Sequence, residues 1–242
     1  MFTLAAIGEK CRKPDYSVSS SIMSLNMISN GRNTISLSLL KISVVLLICK
    51  VTVNILSNYP DYFPPRFEAD FLLDRESYFW SSYSLAFYSH IIATPCVLMS
   101  GIVLMSNRFR SRFPKLHRII GRCHASIVLT LVVPSGLWMS VYAYTGSIAG
   151  AGFAALALTT GFCTLMGWRH AVKRQINHHR KWMTRSYLLL CSAILLRLFS
   201  GAATLLQFDS AWTYPLAAWI TWLVPLFGFE LIEYRRGIIR GD

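Results

Sequence analysis

Histidine precedes arginine at two places where an apolar run begins, His117-Arg118 and His179-Arg180. Imidazole is a common axial ligand of haem iron, and membrane bundles hold b-type haem between histidines on facing helices. His117 and His179 are therefore candidate haem ligands near one end of their helices, with His178 as an alternative to His179. The two dipeptides indicate either a duplicated helical hairpin or two independent positive-inside signals.

His90 is a third candidate cofactor ligand, and it lies deep in another apolar run. Because it is the only histidine at that depth, the sequence argues against two haems stacked across a membrane. His90 and Arg197 lie about 10 and about 9 residues from the same end of their helices, or roughly 15 Å and 14 Å at 1.5 Å per residue. Ionisable groups in lipid are costly and mark functional sites. The pair predicts a polar intramembrane site, with a structural clamp between two helices as the alternative.

An ionic cluster is expected at the opposite end of the last run, where Glu230 and Glu233 are level with Arg122 and Arg185. Ion pairs among Arg122, Arg185 and Glu230 would fix the register of the helices. A proton relay is the alternative interpretation.

Other chemical signatures are missing from the sequence. It contains no phosphate-binding loop of the GxxxxGK[ST] type, no HExxH and no GxSxG. The six cysteines include no CxxC pair, which argues against a disulfide framework or a thiolate zinc site. We expect no metal-ion site, and the only cofactor that the residues suggest is haem b.

Composition indicates which environment must position these residues. Of 242 residues, 54% are hydrophobic and only 14% are charged, where a soluble domain has about 25% charged residues. The net charge is +13, from 24 Lys and Arg against 11 Asp and Glu. Basic blocks alternate with an acidic block between apolar runs, as the positive-inside rule predicts. The charge therefore reports membrane topology, and no nucleic-acid partner is expected.

Six apolar runs are long enough to cross a bilayer. The sequence thus predicts an all-α integral membrane protein with six transmembrane helices, in which short connections make spans two to five an antiparallel four-helix core. The predicted spans are roughly Ser36–Leu56, Trp80–Met105, Ile119–Tyr142, Ile148–Trp168, Met183–Leu206 and Tyr214–Tyr234.

The segments between the spans complete the predicted organisation. Residues 1–34 are expected to form a mobile cytoplasmic tail, 35–57 a retained span resembling a signal anchor, and 58–78 an external acidic loop. Residues 79–242 form the helical core and a short cytoplasmic tail. With the basic segments inside, both termini are cytoplasmic, and those segments could also bind anionic lipid head groups.

Several motifs in order resemble an uncharacterised bacterial membrane family catalogued as domain of unknown function 2306. They are FPPRFE from Phe63, AFYSHI from Ala86, HRIIGR, and HRKWMTRSY followed by Arg197. The resemblance covers roughly Phe63 to Phe199 and implies a multi-pass protein of the bacterial inner membrane, without an activity or cofactor. It maps His90, Gly101, His117, Arg118, Gly121, Arg122, His179, Trp182, Met183, Arg185, Ser186 and Arg197. Position 124 departs from the family, which usually has Tyr there, so a role for His124 would belong to this chain alone.

Three functional hypotheses follow from the sequence. The first is a small electron carrier that binds haem b or works with a quinone, using His117 and His179. The second is translocation of protons or a small polar solute past His90 and Arg197. The third is an accessory or assembly subunit with a membrane-protein partner. Lipid is the expected surrounding in all three.

Overall fold

The computed structural model describes residues 38–69, 71–208 and 210–240. The predicted cytoplasmic tail, 1–34, lies outside the described residues. Six long helices, α1 to α6, make up most of the described chain, and this part contains no β-strand. They are Ser38–Asp61, Glu76–Met105, Pro114–Ser140, Ser147–Val172, Ile176–Leu205 and Thr213–Arg240. The prediction of an all-α protein with six candidate membrane spans is confirmed.

The two helices that follow the basic connections begin at least five residues earlier than the apolar runs predict. α3 begins at Pro114 instead of Ile119, and α5 begins at Ile176 instead of Met183. Proline is favoured in the first helical turn, since its fixed φ suits the helix and its missing N–H has no partner there anyway. Hydropathy reports only the part of a helix that lies in lipid. The basic residues from Pro114 to Arg118 and from Ile176 to Trp182 are therefore part of α3 and α5, and the helices fix the directions of their side chains.

The helices depart from regular α geometry at defined places. Near its start α2 is kinked within a π segment at Phe79–Tyr83, where Ser81 has non-helical φ and ψ, and α3 contains a π segment at Val128–Val132. The second lies just before Pro134, which cannot donate a backbone hydrogen bond, so a local change of helical register is expected there. In α5 the helix is interrupted at Cys191.

Helices α2 to α5 pack around one another in a closed order. α2 contacts α3, α3 contacts α4, α4 contacts α5, and the first half of α5 contacts α2. A buried cluster joins Val97 of α2, Val128 of α3 and Ile194 of α5, together with Ile48 and Val51 of α1. α6 packs against α4 and α5. The small residues of α4 permit this approach, because a Cβ at Gly152 would lie 3.0 Å from Trp219 Nε1 on α6.

The two ends of the bundle differ in chemistry. The basic end carries the 106–113 and 173–175 connections, the first of which includes a short helix, Asn107–Arg112. At the acidic end, the described residues of the 62–75 segment, 62–69 and 71–75, pack against the bundle. Its Tyr62 and Leu72 join Phe79, Tyr83 and Phe87 of α2 in an aromatic cluster.

Candidate functional site

A cavity of about 430 Å³ opens among α2, α3, α4 and α5 at the basic end. Small-molecule sites typically measure roughly 300–1,000 Å³. Three of the six histidines of the chain line the cavity, and so do four arginines contributed by three different helical segments. The histidines are His117, His124 and His179, and the arginines are Arg110, Arg118, Arg122 and Arg180.

Helix α3 supplies two histidines to the cavity. His117 and His124 are separated by seven residues, or about two turns, which places both on the same face of the helix. His124 is only 3% exposed, and its Nδ1 lies 2.9 Å from Ser100 Oγ of α2. His117 differs, because its Nδ1 is buried without a hydrogen-bond partner among the described residues. A buried imidazole nitrogen without a partner destabilises the folded protein, because it loses its hydrogen bond to water and gains none in return.

Helix α5 holds His179 in a defined orientation. Its Nδ1 lies 2.8 Å from the carbonyl oxygen of Gly167 on α4. A carbonyl can only accept a hydrogen bond, so Nδ1 is the protonated nitrogen. In the neutral ring the lone pair is then on Nε2. This is the arrangement of metal-bound histidines, whose other ring N–H donates to a carbonyl or a carboxylate.

Positive charge and apolar surface meet in the same cavity. No Asp or Glu is among the described residues that line it. Arg110 donates to Asn107 Oδ1 at 2.9 Å, which orients its guanidinium but does not neutralise the charge. Apolar side chains cover much of the remaining wall, among them Leu104, Trp168 and Met183. The cavity is therefore suited to a largely apolar ligand that carries negative charge at one end.

The predicted ionic cluster is divided between two places. Arg185 and Glu230 form a bidentate ion pair between α5 and α6, with Nε–Oε1 and Nη2–Oε2 distances of 2.5 Å and 2.9 Å. Glu233 pairs with Lys181 at 3.0 Å and with Arg236 at 2.9 Å. Arg122 is in neither pair and lines the cavity instead.

His90 and Arg197 are placed in different surroundings. His90 on α2 is half-buried, and its Nδ1 lies 3.0 Å from Ser135 Oγ on α3. Arg197 lies on an exposed part of α5, and the described chain shows no ion pair or hydrogen bond between it and His90. The partners of His90 and His124 are thus serines, which the sequence analysis had not singled out.

The sequence analysis also missed one side chain that lines the cavity and one carbonyl group that contacts a lining residue. Gly167 O has no signature in sequence, because every residue has a carbonyl and only the fold brings this one to His179. Arg110 was recognisable only as one of several basic residues. Among the described residues no cluster of three His, Cys, Asp or Glu could hold a bare metal ion.

Comparison with known proteins gives one match. A model of the DUF2306 family, described as predicted membrane proteins, matches residues 87–232, which is more than half of the chain. The matched region includes α3, α4 and α5 completely and most of α2 and α6. No curated protein and no solved structure gives a match.

Proposed function

The chain belongs to the DUF2306 family of predicted membrane proteins, and for this member we propose that the basic-end cavity binds a b-type haem for electron transfer. His117 of α3 and His179 of α5 would hold its iron. The observation that carries the proposal is the hydrogen bond from His179 Nδ1 to Gly167 O, because it leaves Nε2 as the free lone pair.

The state of His117 supports the same assignment. Its buried Nδ1 has no partner within the described chain, although it lines the same cavity as His179. Iron held by Nε2 of His179 and by Nδ1 of His117 would use the free lone pair of the first ring and give the buried nitrogen of the second its missing partner. Two neutral imidazoles are the ligands that low-spin b-type haem takes. The site thus combines one oriented histidine with one unsatisfied histidine.

The rest of the cavity fits a haem in its polarity. The porphyrin plane is apolar, and Leu104, Trp168 and Met183 offer apolar contacts. Bound haem would supply one-electron redox chemistry, while the chain provides ligation, orientation and exclusion of water. A lipid-soluble quinone is the class of redox partner that a membrane carrier of this kind would meet.

We infer further that the protein lies in the bacterial inner membrane with both termini in the cytoplasm. Arg108, Arg112 and Lys115 at the basic end are all exposed, as expected for a segment retained on the cytoplasmic side. The same residues are suited to contact anionic lipid head groups. A reporter fused after Arg112 should be active only in the cytoplasm, and activity in the periplasm would contradict this orientation.

The other two hypotheses have less support. For solute or proton translocation, His90 and Arg197 would need to share a path, whereas His90 is hydrogen-bonded to Ser135 and Arg197 lies on an exposed surface. For an accessory subunit, the exposed apolar faces of the helices are accounted for by lipid. Neither hypothesis explains the orientation of His179.

An optical spectrum tests the proposal directly. The protein, purified in detergent from haem-replete bacterial cells, should show a Soret band and the sharp α band of bis-histidine haem on reduction. His117→Ala and His179→Ala should each abolish the low-spin spectrum. His178→Ala is the matched control, because His178 adjoins His179 in sequence but is exposed and does not line the cavity.

Folded wild-type protein without a Soret band, before and after incubation with added haem, would exclude haem binding. Folding is checked by gel filtration and by helical circular dichroism for every variant. A spectrum unchanged in both His117→Ala and His179→Ala would reject these ligands.

A further inference from the structure

The two histidine–arginine dipeptides meet at one cavity. We propose that Arg118 and Arg180 would bind the two propionate carboxylates of the haem, so that each dipeptide would supply one residue to hold the iron and one partner for a carboxylate. The inference rests on the proposed function and adds the orientation of the ligand, with its carboxylates toward the basic end. Three observations support it: where the dipeptides lie, the absence of acidic partners for their arginines in the described chain, and the change in polarity along the cavity.

Both residues of each dipeptide face the same cavity. Neighbouring residues on a helix point about 100° apart, so one member of a dipeptide commonly faces away from a site that the other lines. Here His117 and Arg118 both line the cavity, and so do His179 and Arg180. α3 and α5 are the third and fifth of six consecutive spans, so both run in the same direction from the basic end. They therefore present their dipeptides in the same order.

The carboxylates described near the basic end are already in ion pairs. Glu230 forms an ion pair with Arg185 of α5. Glu233 forms ion pairs with Lys181 of α5 and with Arg236 of its own helix. Neither the guanidinium of Arg118 nor that of Arg180 has an ion pair or hydrogen bond within the described chain. A planar guanidinium binds a carboxylate through two parallel hydrogen bonds, and such charge-assisted bonds are about twice as strong as neutral ones.

The lining of the cavity changes from charged residues at its mouth to mostly apolar residues at its deep wall. Arg118 and Arg180 lie about one turn from the start of α3 and of α5, at the mouth of the cavity. The deep wall is formed farther along the same helices by Ala125 and Tyr187, with Gly101 of α2. An amphipathic ligand would therefore enter with its apolar edge first and leave its carboxylates at the arginines.

The experiment compares haem with haem dimethyl ester, which has the same porphyrin and iron but no carboxylate charge. Haem-free protein in phosphatidylcholine nanodiscs is titrated with each compound, and the Soret absorbance is corrected for empty nanodiscs. We expect the wild type to bind the ester at least about tenfold more weakly than haem. Arg118→Gln and Arg180→Gln should each weaken haem binding about tenfold and leave ester binding unchanged.

Arg169→Gln is the matched control. Arg169 is an exposed arginine near the same end of α4, but it does not line the cavity. Its substitution should alter neither titration. A loss of binding in Arg118→Gln together with loss of helical circular dichroism is resolved by Arg118→Lys, which keeps the charge and should recover part of the preference for haem over the ester.

The outcomes separate the inference from the proposed function. Equal binding of haem and ester by the wild type, with no effect of either arginine substitution, would overturn the inference and leave haem binding intact. Failure of both compounds to bind would overturn the proposed function itself. A third arm adds phosphatidylglycerol to the nanodiscs. If this abolishes the preference for haem, the arginines bind lipid phosphate and the inference is wrong.

Discussion

Arg185 of α5 donates two hydrogen bonds to Glu230 of α6, at 2.5 Å and 2.9 Å, although 45 positions separate the two residues in the chain. The guanidinium also lies 4.6 Å from the Trp182 ring centroid and 5.5 Å from that of Phe229. The pair is only partly shielded, since the side chains are 17% and 44% exposed. It fixes the register of α6 against the helix that carries His179.

Removing this ion pair should destabilise the bundle moderately. We expect Glu230→Gln to lower the free energy of unfolding by about 1–2 kcal/mol, less than for a fully buried pair because water screens the glutamate. Unfolding in mixed micelles with added SDS measures the change. Asp61→Asn is the control, because it breaks the more exposed pair with Arg66 and should cost at most about 0.5 kcal/mol. Equal effects of the two substitutions would contradict this ranking.

Gly101 of α2 should not tolerate a side chain. A Cβ at this position would overlap the ring of Tyr187, whose hydroxyl donates to Leu98 O at 3.1 Å. We expect Gly101→Ala to cost about 1–3 kcal/mol, since the ring must move and give up that bond. Thermal denaturation in detergent measures the loss, and Tyr187→Leu should relieve part of it in the double variant.

Gly201→Ala and Gly228→Ala are the matched controls for Gly101→Ala. A Cβ at either position has no heavy atom within 4 Å beyond the local helix. Alanine favours the helix by about 1 kcal/mol over glycine, so both variants should be neutral or slightly stabilised. If Gly101→Ala behaved like these controls, the close packing of Tyr187 on α2 would be incorrect.

Two histidine–serine contacts join α2 to α3 in opposite directions. His90 of α2 contacts Ser135 of α3, and His124 of α3 contacts Ser100 of α2. Ser135→Ala and Ser100→Ala should each cost about 1–3 kcal/mol, because each leaves an imidazole nitrogen without its partner. Chemical unfolding is the measurement. Ser89→Ala should change little, because the described bonds of the Ser89 hydroxyl are to its own helix, at Leu85 O and Ala86 O.

Arg75 closes the acidic end by bonds to neutral oxygens. Although only 7% exposed, it donates to Phe71 O at 2.7 Å and to Tyr142 O of the α3–α4 connection at 2.9 Å. Arg75→Leu should loosen the 62–75 segment. Tryptic cleavage after Arg66 should then accelerate roughly 10- to 100-fold, as a loss of about 1.5–3 kcal/mol of local stability implies.

Glu76→Gln is the control for this proteolysis. Glu76 is exposed and adjoins Arg75 at the start of α2, but has no side-chain bond in the described chain. Cleavage after Arg66 should proceed at the wild-type rate. An Arg75→Leu protein as resistant as the wild type would show that other contacts hold this segment.

Much of the fold could be predicted because hydropathy and charge are local properties. Each apolar run is long enough to cross a bilayer by itself, so the six spans could be located without knowing how they pack. The helix starts at Pro114 and Ile176 could not, since the interfacial turns are too polar to be recognised by hydropathy. The packed 62–75 segment escaped for a related reason, because its acidic residues concealed the aromatic ones.

The candidate site could be predicted only in part. His117 and His179 were singled out from their type and their position at the start of two spans, and both line the cavity. The place of His124 beside them follows from helical geometry, but its partner Ser100 does not. Gly167 O, which orients His179, has no distinguishing side chain at all.

The sequence by itself determined the class of solvent, the number of helices and the concentration of positive charge at one end. Tertiary structure alone decided which side chains meet. Arg122 follows His117 by five residues and Arg185 follows His179 by six, a difference that rotates the second arginine by about 100°. One therefore lines the cavity and the other pairs with Glu230. Such outcomes depend on how each helix is turned toward neighbours that are distant in the chain.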